Sequence, residues 1–437
     1  MKRGSSHAKA SSGLRHRMGA RLRNPSIWEC LGPGLITGAA DDDPSGIATY
    51  SQTGARFGFA TLWTLWLTYP LMVAMQYVSA LIGRVTGEGL AANIRKHYPK
   101  PVLYGIVLLL FIANTINLGA DLGAMGESMT LILGGEPFVW TVIIAIIALT
   151  LLIVLKFRSY ARILKYLTLS LFAYAGVLFL IHVPWAEVLT SLVMPKAELS
   201  RDYLTAIVAI FGTTISPYLF FWQASHEVEQ QRGARDEQPL QKAPSQGRVQ
   251  LRRVKWDTLI GMAISNLVAF CIMLTAATVL HAHGKTQIDS AAEAAQALKP
   301  IAGDLSFFLF AAGIVGTGML AIPTLAGSAA YAVAETFRWP KGLDKHLFQA
   351  SGFYGTVALG TILGVVFTAI AVNPMKALFW SAVLNGVIAI PLMVIIMLLS
   401  SKKSLMKTFV ASPRVRIAGW AATVIMFAAF VGMIATM

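Results

Sequence analysis

The stretch TGAADDDPSGIATY, residues 37–50, sets three consecutive carboxylates inside an otherwise apolar segment and follows them with a proline and a pair of small residues. Asp41, Asp42 and Asp43 stand where charge is costly. An ionisable side chain within a membrane segment is rare and by default marks a functional site. Pro44 removes an amide donor and Gly46 permits non-helical dihedrals, so the helix is expected to break here and present free carbonyls beside the carboxylates. A broken helix carrying acid at mid-membrane is how ion-coupled transporters build cation sites.

The surrounding composition makes that stretch intramembrane. Of 437 residues 56% are hydrophobic and only 13% charged, which describes a polytopic helical membrane protein. Hydrophobic runs of about twenty residues give eleven expected spans, at about 31–55, 60–83, 101–125, 138–156, 163–183, 203–225, 257–281, 305–334, 351–372, 376–399 and 415–436. The net charge of +15 has its home in the loops. With the N-terminus placed in the cytosol, thirty of the 36 Lys and Arg fall on the cytosolic side. Only Arg56, Lys196, Arg201, Lys285, Lys299 and Lys376 fall opposite, so the positive-inside rule supports every crossing and puts the C-terminus outside. This charge is therefore no sign of nucleic-acid binding. The expected location is a bacterial plasma membrane.

Residues 1–25 carry seven Lys/Arg, no acid and no apolar core, which excludes a secretory signal peptide. They read as a disordered cytosolic tail, with an Arg- and Ser-rich organellar transit peptide as the alternative. Cys30 and Cys271 have no CxxC spacing and read as small core residues rather than a disulfide or thiolate site. The loop at 226–256 reads as a linker with helical ends, and Glu227 and Glu229 as a solvated face. His281 and His283 lack a third partner nearby for a metal.

A second break is expected in the sixth span, where AIFGTTISPYLFF puts Gly212, Thr213, Thr214, Ser216 and Pro217 in an apolar run. Pro44 and Pro217 lie five spans apart, and an odd offset turns the two segments over relative to each other in the membrane. Paired breaks in inverted halves are the mark of an inverted-repeat transporter with its site at the breaks, whereas a lone proline would mark only a kink.

The run GPGLITGAADDDPSGIATYSQTGARFGFATLW, residues 32–63, resembles the opening of the Nramp divalent-metal transporters, with their GPG start and DPGN break. The resemblance implies an all-α LeuT-like fold of 5+5 inverted repeats with broken first and sixth helices and an eleventh span. Repeat one would cover about 31–183, repeat two about 203–399 and the extra helix about 415–436, within a transporter domain over 26–437. It also implies import of divalent cations by alternating access. Metal ligands carried over are Asp43 and, at substituted positions, Gly46, Thr213 and Ser216; Asp41, Asp42, Thr214, Asp121, Tyr218 and Asn385 are candidates for a supporting shell or for the ion and proton path.

The departures from the family pattern bear on selectivity. Ser45 and Gly46 replace the glycine and asparagine of DPGN, and a hydroxyl stands where the family has a methionine sulfur. Thioether favours late transition metals, while oxygen donors suit Mg2+, Ca2+ and Mn2+. Mg2+ keeps several waters and needs only one or two carboxylates, so the pattern is similar to the Nramp-related magnesium transporter branch. Along the family's proton route Asp121 remains, but Asn114, Ala124, Tyr218 and Gln223 fill positions where acids and histidines are expected, which points to transport without proton coupling. The expectation is a Mg2+ importer that also takes Mn2+, these ions being substrate and no cofactor being required. Alternatives are a proton-coupled Mn2+/Fe2+ importer of the Nramp type and an organic-solute transporter of LeuT-like fold. An intramembrane prenyltransferase would need a second acid cluster and basic diphosphate partners, and an aspartyl protease would leave the helix break unexplained, so no enzyme is expected.

Overall fold

The computed structural model describes residues 33–154, 169–194, 198–234, 236–370 and 373–436. The basic tail, Cys30, the start of the first expected span, and the basic residues Lys156, Arg158, Arg162, Lys165, Lys196 and Arg235 lie outside the described residues.

The first segment breaks as its sequence requires. Helix α1 (Pro33–Asp41) stops at the acids, and α2 (Pro44–Phe57) starts at the proline. Asp43 between them is extended, with φ −69° and ψ 171°, and it caps α2. Proline is at ease at the first position of a helix because its missing N–H would have no intrahelical partner there. After α3 (Trp63–Thr86) and the short α4 (Leu90–His97) come the 34-residue α5 (Lys100–Leu133) and α6 (Pro137–Val154). Of the fifth expected span the described part is a turn at Leu169–Leu171 and α7 (Phe172–Leu180), followed by α8 (Trp185–Val193).

The second break repeats the first. Helix α9 (Arg201–Thr214) ends, Ser216 is extended at φ −77° and ψ 136°, and α10 (Pro217–Gly233) starts again on a proline. Helices α11 (Gly247–Val279), α12 (Ser306–Phe337), α13 (Ser351–Ile370), α14 (Pro374–Ser401) and α15 (Pro413–Ala435) then complete the chain. Every regular element among the described residues is helical. Nine segments there are long and apolar enough to cross a membrane. The first and fifth expected spans are not among those nine: the first is broken into helices of 9 and 14 residues beside its three acids, and the fifth is described only in part.

The two broken segments lie at the centre and are almost wholly enclosed, whereas α6 and α15 show apolar side chains such as Ile146, Val154, Ile417 and Val424 outward. Outward apolar side chains on helices whose backbone is internally bonded are what a lipid surface requires. Close approach at the centre depends on glycine. A Cβ on Gly38 of α1 would stand 2.3 Å from the Gly261 carbonyl oxygen of α11, and one on Gly212 of α9 would stand 2.0 Å from the Ala382 oxygen of α14. Neither obstacle is a side chain that can swing away. Gly105 of α5, by contrast, faces open space. We therefore expect Gly212→Ala to lower the thermal unfolding midpoint of the purified protein, with overpacking costing about 1–3 kcal/mol. Gly105→Ala, which adds a methyl in open space within a helix, should leave the midpoint unchanged or raise it.

Candidate functional site

Asp43 is buried and both of its carboxylate oxygens are engaged. Oδ1 accepts from the Ser45 hydroxyl at 2.6 Å and from the Gly46 N–H at 2.8 Å, closing the first turn of α2. Oδ2 accepts from Asn117 Nδ2 of α5 at 3.1 Å and from the Tyr218 hydroxyl of α10 at 3.0 Å. Four donors from three chain segments thus converge on one carboxylate at the start of a helix. Asn117 is in turn held by Ser381 of α14, whose hydroxyl reaches its Oδ1 at 2.7 Å.

Gly46 lies within α2 in helical conformation, so the expected role in breaking the helix falls to Pro44 and Asp43 alone. What Gly46 provides is nearness: a Cβ there would stand 3.2 Å from Thr213 Oγ1 and 3.3 Å from the Asp41 carbonyl oxygen. The two breaks therefore meet, the start of α2 against the end of α9. Thr213 Oγ1 is buried with no hydrogen-bond partner among the described residues. The hydroxyls of Ser216 and Thr214 turn back to helix carbonyls, Ser216 to Gly212 at 2.8 Å and Thr213 at 2.7 Å, Thr214 to Ile210 at 2.8 Å and Phe211 at 3.3 Å, which leaves their lone pairs for a further contact.

The other two acids of the triplet face elsewhere. Asp41 Oδ2 and Asp42 Oδ1 lie 2.7 and 3.1 Å from the single Ser265 hydroxyl of α11. Asp121, one turn beyond Asn117 on α5, is fully buried, and among the described residues neither of its oxygens has a hydrogen bond of good geometry. Asn385 is likewise buried with both amide atoms unpartnered. Among the described residues no group of three or more His, Cys, Asp or Glu is placed to hold a metal together. Any cation at the breaks would draw on one carboxylate and neutral oxygens. A polar cavity of about 340 Å³, lined by Gln52, Thr53, Arg56, Asp202, Asp289 and Lys376, lies near the far end of α2. Thr53 is ten residues beyond Asp43, about 15 Å at the helical rise.

One expectation is corrected on the opposite side. Glu227 is not on a solvated face: it is buried and pairs with Arg84, itself fully buried on α3. A guanidinium enclosed by apolar helices must be matched by charge and hydrogen bonds, and Arg84 reaches Glu227, Glu237 and Gln230 together. Burial alone would raise the Glu237 carboxyl, but Arg253 and Arg84 beside it hold it below the usual carboxylate range. The chain continues inward, Glu227 to Gln223 at 3.3 Å and Gln223 to the Thr37 hydroxyl of α1, tying α3, α10 and α1 into one block under the breaks. Glu229 accepts the Leu343 N–H at 3.2 Å. His281 Nδ1 lies 2.8 Å from the Ala55 carbonyl oxygen.

Against known proteins, the Nramp profile, described as natural resistance-associated macrophage protein-like, matches residues 34–436. The chain belongs to the Nramp family. Its members transport divalent metal ions and are not enzymes, so this Nramp protein is a multi-pass metal transporter. Among solved structures it is similar to the Eremococcus coleocola manganese transporter in complex with an aromatic bis-isothiourea substituted compound, at 18% identity and TM-score 0.74, covering 100% of this chain and 88% of that one. A point mutant of the same transporter gives 19% and 0.74 over 92% and 86% of the two chains. MhsT in complex with L-phenylalanine gives 14% and 0.54 over 92% and 98%. At such identities the likeness is one of fold, and it is the LeuT-like fold of inverted repeats expected from the paired breaks.

Sequence reasoning missed Asn117, Ser381 and Ser265, which lie on helices where a lone amide or hydroxyl carries no local signal, and Arg84, which looked like a loop cation. Removing one partner of a buried pair strands the other, at a cost of about 3–5 kcal/mol. Glu227→Leu should accordingly destabilise the Nramp protein strongly, and Arg84→Met combined with Glu227→Leu less than the sum of the two single changes. Thermal unfolding of the three variants in detergent checks this; strict additivity would mean that the pair does not act as a unit.

Proposed function

We propose that this protein imports Mg2+, and with it Mn2+, by alternating access and without moving protons, with its N-terminus in the cytosol and its C-terminus outside. The observation that carries the reading is the single carboxylate of Asp43 at the meeting point of the two breaks, surrounded by neutral oxygen atoms. Asp43, the Thr213 and Ser216 hydroxyls and the backbone oxygens that Gly46 allows to approach, Asp41 among them, form the cation site in this proposal. Such a donor set has no sulfur and suits hard cations. One carboxylate leaves most of the coordination to retained water, as Mg2+ prefers. Asp41 and Asp42 share the Ser265 hydroxyl behind the site.

The polar groups at the expected proton positions support transport without coupling. Asn114 donates its amide to the Leu325 carbonyl at 2.8 Å and to Ser328 at 2.8 Å, Gln223 is held between Thr37 and Glu227, and Tyr218 donates to Asp43. None of these three side chains is an acid or a histidine. Of the remaining acids, Asp121 stands alone at those positions and Glu227 is tied to Arg84. A 2+ ion entering a negative interior gains about 4–5 kcal/mol per 100 mV, ample for uptake without a second driving ion.

Two measurements test this. Asp43→Ala should abolish Mg2+ and Mn2+ uptake into proteoliposomes even where the variant folds, at a lower unfolding midpoint from the lost helix cap; undiminished uptake by the folded variant would overturn the site. In liposomes with an interior pH dye at clamped potential, metal should enter without acidification and faster when the interior is negative. Acidification that tracks metal influx and vanishes in Asp121→Asn would mean that protons are coupled through that one acid.

A further inference from the structure

Asn117 is fully buried and spans the distance between the Asp43 carboxylate and the Ser381 hydroxyl. Its amide nitrogen faces the carboxylate and its amide oxygen faces Ser381. The Ser381 hydroxyl has one proton and two acceptors at equal reach, Asn117 Oδ1 at 2.7 Å and the Leu378 carbonyl oxygen at 2.7 Å. That choice makes the network reversible. If the planar amide turns by half a revolution, nitrogen and oxygen exchange places within the same volume. Its N–H then donates to Ser381 Oγ, whose own proton passes to Leu378, so the amide–serine contact survives with its polarity reversed. Had the partner of Asn117 been a backbone carbonyl, only one orientation would be allowed.

The turned amide would aim its oxygen at Asp43, which is repulsive unless a cation lies between them. We propose that Asn117 is a ligand of the transported divalent cation, its amide oxygen swinging to the ion when it arrives beside Asp43 and its amide N–H swinging back when it leaves. The inference rests on Asp43 as cation site and adds a ligand delivered by a third helix, α5, that does not take part in either break. It also supplies the return step. A buried carboxylate without compensation is costly, and the Asn117 N–H offers the unloaded carrier a neutral substitute for the ion, where another carrier would use a proton. Ser381 is the positioning residue that permits both orientations.

Two roles for Asn117 predict changes of opposite sign. A mere donor to Asp43 competes with the cation, so removing it would leave binding unchanged or tighten it. A ligand, when removed, weakens binding. With the full-length protein in detergent, Mg2+ Kd by isothermal titration should rise about tenfold in Asn117→Leu and less, about threefold, in Ser381→Ala, a small change expected to fold even if the first variant does not. Thermal unfolding without metal should show Ser381→Ala near the parent. Unchanged or lowered Kd in Ser381→Ala, or in a folded Asn117→Leu, overturns the proposal. Should the parent bind Mn2+ but not Mg2+, the magnesium reading fails by itself, and the same comparison of variants, read with Mn2+, decides the role of Asn117 by the same signs.

Discussion

A carboxylate buried at a helix break is tolerable only if something answers its charge, and the centre of this molecule is arranged around how Asp43 is answered. The half-helix α2 brings the Gly46 N–H and the Ser45 hydroxyl to Oδ1, and Asn117 and Tyr218 bring donors to Oδ2 from two other helices. Each of these contacts needs the helices at particular distances. Gly38 and Gly212 allow those distances by letting backbone meet backbone. The acid thus organises the packing of α2, α5 and α10, and the absence of side chains at the glycines lets α1 and α9 close around it.

The same balance recurs at the other end of the broken segments with the opposite sign. Arg84 is answered by Glu227 and Glu237, and the hydrogen bonds through Gln223 to Thr37 join that ion pair to α1. Between the two centres α10 runs uninterrupted, carrying Tyr218 at its start and Glu227 further along. A rearrangement at Asp43 therefore bears directly on the helix that carries Glu227 to Arg84.

Much of this was legible in the chain because it follows from local chemistry. Pro44 and Pro217 each fix a helix start, and the odd offset of five spans from one to the other fixes the inversion. Most long apolar runs gave their helices to within a few residues, but α5 and α10 each run eight residues past the expected span and α11 begins at Gly247, ten residues before it, because a helix can continue through polar sequence once one end is packed. What could not be read were partners distant in sequence. Glu227 looked solvated because its neighbours are polar, and only the fold brings Arg84 to it, 143 residues away. Asp41 and Asp42 looked like companions of Asp43, and the break turns them to Ser265 instead. Gly46 was credited with backbone freedom, whereas what it contributes is the space that brings Thr213 near.

The central claim is that one carboxylate and neutral oxygens at the meeting of the two breaks hold the transported ion. Anomalous diffraction from crystals grown with Mn2+ tests it most directly. The account predicts a peak beside Asp43, between the start of α2 and the end of α9, with oxygen neighbours only and with the Asn117 amide oxygen turned toward it. A peak bound instead at Asp202 and Asp289 in the polar cavity, with no density beside Asp43, or a methionine sulfur among the ligands, would contradict it.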